Sequence, residues 1–231
     1  MNLRRVSEQA ERELEGAPAE DVLAWAASTF GPRFAVASSM QDAVLPHLAS
    51  RVAPGVDVLF VDTGYHFAET MGTRDAVAAT LPVRVLTLTP TRTVAEQDAE
   101  HGPRLHDRDP DLCCALRKVA PVDAVLASYD AWATGIRRVE APTRAGTPVV
   151  SYDRGRGKVR VAPLAAWTDD DVRAYVLEHG VLVNPLLEDG YPSVGCEPCT
   201  RRPAPGADPR SGRWAGLAKT ECGINTEART G

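Results

Sequence analysis

The chain has 231 residues, 44% of them hydrophobic, and a net charge of −5. That is enough apolar material for a full core and the wrong sign for coating nucleic acid. No apolar run approaches a membrane span or follows Arg4-Arg5 as a secretory leader would require, and the five cysteines are too unevenly spaced for a secreted disulfide framework, so a cytoplasmic protein with reduced thiols is expected.

Residues 1–30 set charges among Ala, Leu and Val at helical spacing and predict an N-terminal helical segment. Its clearest part, 21–29, ends before Gly31-Pro32. Beyond it, residues 31–200 read as one α/β unit. Arg33 to Ala37 predicts a buried strand that runs straight into Ser38-Ser39-Met40-Gln41-Asp42, after which helical spacing resumes. Such a loop offers backbone N–H groups to an anion, although Ser-Ser before a helix also serves as an N-cap. A second strand, 56–61, ends at Asp62-Thr63-Gly64-Tyr65-His66-Phe67, a helix is predicted over 68–79, and a third strand spans 83–88. Repeated strand–helix–strand units imply a parallel sheet with ligands at the strands' carboxyl ends, where Ser38, Ser39, Asp62, Thr63 and Gly64 fall.

Residues 92–112 are polar and suggest a loop or short helices, and a helix then starts around Cys113-Cys114. Lys118 follows at a spacing that folds its ammonium back towards the two thiols, or leaves it solvated on the helix face. A fourth strand, 130–135, leads through Gly135 into Arg137, Arg138 and Arg144. From 137 to 160 there are seven basic residues against two acids, a local +5. Guanidinium forks suit phosphate or sulfate, and the scarcity of interleaved aromatics disfavours nucleic acid. A further strand is predicted over 159–164. Thr168 then caps a helix that carries Asp169-Asp170-Asp171 in its first turn and Gly180 past its end. Residues 201–231 form an Arg-, Pro- and Gly-rich loop and a tail containing Cys222.

The cysteines count as four plus one. Cys196-Glu197-Pro198-Cys199 puts two thiols on one side of a tight turn, and Cys113-Cys114 adds two more. A redox pair, a zinc site and an iron–sulfur cluster all remain open on spacing. Adjacent cysteines make a poor zinc knuckle, whereas a cluster spreads its ligands more widely.

Several short patterns occur together and in order. They are Asp62-Thr63-Gly64-Tyr65-His66-Phe67, Cys113-Cys114-x-x-Arg117-Lys118, Gly135-x-Arg137-Arg138 with Arg144, and Asn184-Pro185-Leu186. Gly190-Tyr191-x-Ser193-x-Gly195-Cys196-x-x-Cys199-Thr200, Arg210-x-Gly212-Arg213-Trp214 and Glu221-Cys222-Gly223 complete the set. From about Phe34 to Asn225 the chain resembles the assimilatory adenylyl-sulfate reductases, the iron–sulfur branch of the phosphoadenylyl-sulfate reductase family. The resemblance implies a doubly wound, mostly parallel sheet like that of the PP-loop ATP pyrophosphatases. It implies a [4Fe-4S] cluster on Cys113, Cys114, Cys196 and Cys199. Ser38, Ser39 and the Asp62-Thr63-Gly64 turn match its nucleotide loops, and Arg137, Arg138, Arg210 and Arg213 match positions that hold the phosphosulfate. By the same resemblance Lys118 would stand between cluster and substrate, and Cys222, on a tail expected to be mobile, would be the nucleophile, later reduced by thioredoxin. Asn225, Ala207 and Ala162 depart from residues usual in the family. The alternatives are the same chemistry on the 3′-phosphorylated substrate, and an iron–sulfur PP-loop enzyme acting on RNA. The second would want glycines that the 38–42 loop lacks.

Overall fold

Two helices precede the sheet in the computed structural model, which describes residues 1–224. Helix α1 (Leu3–Leu14) is capped by the Asn2 side chain, which accepts from the Arg5 N–H. Helix α2 (Ala19–Phe30) has Glu20 and Asp21 in its first turn, where the helix dipole favours acids, and stops at Gly31. It buries Val22, Leu23, Ala26 and Phe30, the helical spacing of a core-facing stripe.

The predicted strand–helix units follow as β1 (Phe34–Ala37), α3 (Val44–Val52), β2 (Asp57–Val61), α4 (Ala68–Thr80) and β3 (Arg84–Leu88). The polar stretch beyond takes the second of its two expected forms, short helices. It forms α5 (Val94–His101), α6 (Leu105–Arg108) and α7 (Pro110–Cys114), then a π turn over Ala115–Val119 and α8 (Ala120–Leu126). Strand β4 (Ala131–Thr134), the hairpin β5 (Val150–Asp153) and β6 (Lys158–Val161), and α9 (Asp169–His179) complete the set. The Thr168 capping box and the left-handed Gly180 end α9 as its sequence requires.

The sheet order is β3-β2-β1-β4-β6-β5, parallel throughout except for β5 against β6. Chain order runs outward from β1 on one side and resumes at β4 on the other. A doubly wound sheet of this kind opens a crevice at that switch point, beyond the carboxyl ends of β1 and β4. Alternation along the strands feeds two cores. Phe34, Val36, Val58, Phe60 and Val161 face α2, α3 and α9, while Ala35, Leu59 and Trp132 face Val122 and Leu126 of α8. Strand β5 was not expected: it is a short edge strand with two half-buried residues and lacks the apolar alternation that announces the others.

Helix α1 packs on β5 and β6, so residues 1–30 cover the sheet rather than stand apart. At the other end the tail returns across the carboxyl edge, where Ile224 packs against the α8-side core. Asn225 and the residues after it lie outside the described residues. Among the described residues no helix is long and apolar enough to cross a membrane.

Candidate active site

The crevice at the switch point is a cleft of about 650 Å³. Ser38 and Ser39 enter it directly after β1. A turn follows in which Met40 takes φ +57 and its N–H donates to Ser38 Oγ at 3.2 Å. The residue that precedes α3 is Ala43, and the first turn is served by Asp42, which accepts from the Val44 N–H. Neither serine is an N-cap, so both face the cleft. Gly135, Arg137, Arg138 and Arg144 reach it from beyond β4, Lys118 from the π turn, and Arg210, Arg213 and Cys222 from the tail.

The arginines come with carboxylates, which no sequence pattern announced. Arg137 meets Asp169 at 2.8 Å, and its backbone N–H donates to Glu140 at 3.0 Å. Arg138 binds Glu15 at 2.7 Å and donates to the Thr147 carbonyl. Arg144 forks onto both oxygens of Glu221, Nε to Oε1 at 2.7 Å and Nη2 to Oε2 at 2.8 Å, and also pairs with Glu140. Arg210 lies 3.6 Å from the same Glu221. Arg213 donates to Ser193 Oγ and the Val194 carbonyl, and its guanidinium lies over the Trp214 ring. That guanidinium rests directly on Gly195, so a Cβ there would push Arg213 out of this position. Burial, then neighbouring Arg144, lowers the Arg210 pKa; burial also lowers that of Arg213, against the pull of Cys222 and Cys196.

A second, small cavity adjoins the first. Cys113, Cys114, Cys196 and Cys199 all line it, with Arg117, Lys118 and Arg213 among them. Cys113 and Cys114 end α7, which starts on Pro110 with Asp109 accepting from the Leu112 N–H. The π turn that follows widens the helix, a feature common at functional sites, and Lys118 lines both cavities. Cys196 precedes and Cys199 ends a 3₁₀ turn, Glu197–Cys199, tied by Cys199 N–H to the Cys196 carbonyl at 3.0 Å and by Thr200 Oγ1 to the same oxygen at 2.9 Å.

Asp62, Thr63 and Gly64 do not line the cleft. Their turn closes on itself through Gly64 N–H to Asp62 Oδ1 at 2.9 Å, and of the three only Thr63 lines the cysteine cavity. Thr63 Oγ1 is 3.3 Å from Cys196 Sγ, and the Thr63 carbonyl accepts from the buried Arg117. From that stretch His66 borders the cleft, with Nε2 2.7 Å from the Val61 carbonyl. These residues lie at a carboxyl end of the sheet, and β2 itself reaches the cleft through Leu59, Phe60 and Val61, but Thr63 beyond it is drawn towards Cys196 and Arg117. Arg117 and Glu221 are the functional candidates sequence reasoning passed over; their signal was adjacency to Lys118 and Cys222.

None of the five cysteines is in a disulfide. Burial, then the Cys196 sulfur, pushes the Cys113 and Cys199 thiols up to about 11. Cys222 behaves oppositely. A hydrogen bond from Cys114, the Lys118 ammonium, the Ile224 N–H and Arg213 together hold it well below the ordinary thiol range despite burial, while the donor Cys114 is raised. Burial pulls Lys118 down, but Cys196, Cys222 and Cys114 outweigh it and raise its pKa. Among the described residues no three His, Cys, Asp or Glu side chains are drawn together as a single metal ion would need. Four thiols line one small cavity with Arg117, Lys118 and Arg213, an all-sulfur donor set whose chemistry fits a thiolate-bound group and whose cations offset thiolate charge.

Residues 32–202 match the family model of the phosphoadenosine phosphosulfate reductase domain. The chain belongs to this family. It is 66% identical over 223 residues to a Streptomyces coelicolor protein named adenosine 5′-phosphosulfate reductase, covering 96% of this chain and 94% of that one. A Mycolicibacterium smegmatis protein of the same name is 59% identical with the same coverage. Among solved structures, the phosphoadenylyl-sulfate reductase of Candida auris, a phosphate complex, superposes with a TM-score of 0.72 at 28% identity, over 84% of this chain and 96% of that one. The FMN adenylyltransferase of Candida glabrata shares the fold alone, with a TM-score of 0.56 at 13% identity, over 87% of this chain and 76% of that one. The family and the doubly wound fold expected from the motifs are therefore both borne out.

Proposed function

We propose that the protein reduces adenylyl sulfate to sulfite and AMP in sulfate assimilation. The observation that carries this reading is the convergence of Cys222, Lys118, Arg210 and Arg213 in the cleft that also presents Ser38, Ser39 and Gly135. Close relatives bearing the name adenosine 5′-phosphosulfate reductase support it.

The chemistry follows from the residues. Sulfate resists thiols until it is joined to AMP as a mixed anhydride. The Cys222 thiolate attacks the sulfuryl sulfur, an S–S bond forms, the S–O bond to phosphate breaks, and AMP leaves with the electron pair. Lys118, Arg210 and Arg213 neutralise oxygens that would otherwise repel a thiolate. A dithiol reductant, thioredoxin in our reading, then attacks Cys222 Sγ. Sulfite departs with the electrons of the S–S bond, and the second thiol of the reductant resolves the mixed disulfide. Thiol exchange thus supplies both electrons. Cys113, Cys114, Cys196 and Cys199 would hold a [4Fe-4S] cluster, which contributes local charge and rigidity when bound. Lys118, facing both cavities, would connect that charge to the substrate.

Nucleotide loops 38–39 and the region around Gly135 serve the nucleoside in the 31–200 domain, with the 201–231 segment as the catalytic tail. Arg137, Arg138 and Arg144 already face carboxylates, which leaves less positive charge for a 3′-phosphate and favours plain adenylyl sulfate. Reduced thiols of this kind fit a cytoplasmic setting.

Intact-protein mass spectrometry tests the reading. Anaerobic protein mixed with adenylyl sulfate and no reductant should gain one sulfonate, which vanishes in Cys222→Ser and on adding thioredoxin. An adduct only from the 3′-phosphorylated compound would overturn the substrate, and none from either would overturn the reaction.

A further inference from the structure

Arg144 and Arg210 are part of the cleft, yet the anion they hold belongs to the protein. Glu221 is the residue immediately before Cys222. Its carboxylate takes the Arg144 fork at 2.7 and 2.8 Å, Thr143 Oγ1 at 3.2 Å and Arg210 at 3.6 Å. The Arg144 and Glu221 side chains are only 11% and 12% exposed, so this is a shielded pair rather than a surface contact. Thr143 and Arg144 belong to a 3₁₀ turn, Pro142–Arg144, braced from behind by Glu140. Elsewhere the tail is held by Lys219 on Asp111, an acid that is largely exposed, by Arg210 and Arg156, which donate to the Thr220 and Ile224 carbonyls at 3.2 and 3.3 Å, and by Ile224 on the α8-side core.

We propose that Glu221 is the positioning residue for Cys222: clasped by Arg144, Arg210 and Thr143, its carboxylate latches the tail so that the adjacent thiol stays beside Lys118. Arg144 on this reading serves the tail and not the phosphosulfate, which is left to Lys118 and Arg213, with Arg210, at the longer distance of 3.6 Å from Glu221, shared between the two. A bidentate guanidinium–carboxylate pair fixes direction as well as distance. One peptide bond separates the clasped residue from the thiol, so fixing the first restricts the second. The inference rests on Cys222 being the nucleophile, but the latch itself is a statement about where the tail lies.

The experiment uses the anaerobic full-length holoprotein and reads two quantities. The first is the rate at which iodoacetamide alkylates Cys222, followed by peptide mass spectrometry without any substrate. Glu221→Gln should raise it roughly tenfold, Arg144→Leu should do the same, and the double variant should add nothing further. The second is single-turnover sulfonation by adenylyl sulfate, which should slow about tenfold in Glu221→Gln while AMP affinity stays within about twofold. Glu221→Asp keeps the charge and should recover part of both. Wild-type alkylation in Glu221→Gln overturns the latch. Should that variant lose iron or melt early, Glu221→Asp decides alone: an intermediate alkylation rate supports the latch, and the wild-type rate overturns it. Faster alkylation in a protein that never forms a sulfonate would leave the latch standing and remove the proposed reaction.

Discussion

Arginine–carboxylate pairs stand at both ends of the sheet, and the two ends use them differently. At the amino ends, Asp57 at the start of β2 accepts from Arg84 at the start of β3 and from the Tyr129 hydroxyl at 2.6 Å. Arg33, just before β1, forks onto Asp130, just before β4, at 2.6 and 2.8 Å. Each pair joins neighbouring strands and faces no cleft. At the carboxyl ends, Arg137, Arg138 and Arg144 line the cleft, and their carboxylates arrive from α9, from the end of α1 and from the tail. The same chemical pair fixes register where both partners sit in adjacent strands. It fixes the relative placement of distant segments where they do not.

The sharpest way to break this contrast is at Lys118, the cation that borders both cavities. Lys118→Ala should slow sulfonation of Cys222 by roughly 10²–10³-fold, the scale of a lost transition-state cation, while iron content per chain is retained. A rate equal to wild type in the mass-spectrometric time course would remove Lys118 from the reaction. At the amino ends the expected effect is on stability instead. Asp57→Ala leaves the buried Tyr129 hydroxyl without its acceptor and should cost about 2 kcal/mol in denaturant unfolding, with AMP binding unchanged. Weaker AMP binding would show that the two ends are coupled.

The same site gives a pH dependence. Burial pushes the Asp57 carboxyl up, but hydrogen bonds from Arg84 and Tyr129 outweigh it and hold the pKa below its ordinary value. The folded state therefore binds its proton later than the unfolded chain, whose carboxylate titrates near ~3.9. The contribution of Asp57 is complete above about pH 5 and is lost as pH falls below about 4, so wild type and Asp57→Ala should converge in stability on acidification. A gap that persists at low pH would assign the effect to packing. Arg33→Ala, at a half-exposed pair, should cause the smallest loss of stability of these variants in the same denaturant titration.

Much of this was legible in the chain. Val56 to Val61 and Val83 to Leu88 are apolar, strand-forming runs, and both are strands. Thr168 and Gly180 bound their helix because capping is local chemistry. Strand β5 was hidden because edge pairing with β6 stabilises it more than its own pattern does. The four cysteines could be grouped by motif, but Asp62, Thr63 and Gly64 could not be assigned a side of the crevice, since that depends on Thr63 meeting Cys196 and Arg117, 133 and 54 positions away. Arginines 137, 138 and 144 were visible as positive charge. Their partners Asp169, Glu15 and Glu221 lie 32, 123 and 77 positions away in the chain, and separations of that size leave no local trace.

Ile224, two residues past the thiol, is half-buried against the core that contains Trp132 and Val122. Withdrawing the tail returns this aliphatic side chain to water, at a cost of about 1–2 kcal/mol. That alone holds the undocked population down by roughly one order of magnitude. Because the restraint is hydrophobic, it should weaken on cooling. A dithiol protein that attacks Cys222 Sγ, as proposed above, would gain most by offering Ile224 an apolar seat of its own, exchanging one dry contact for another.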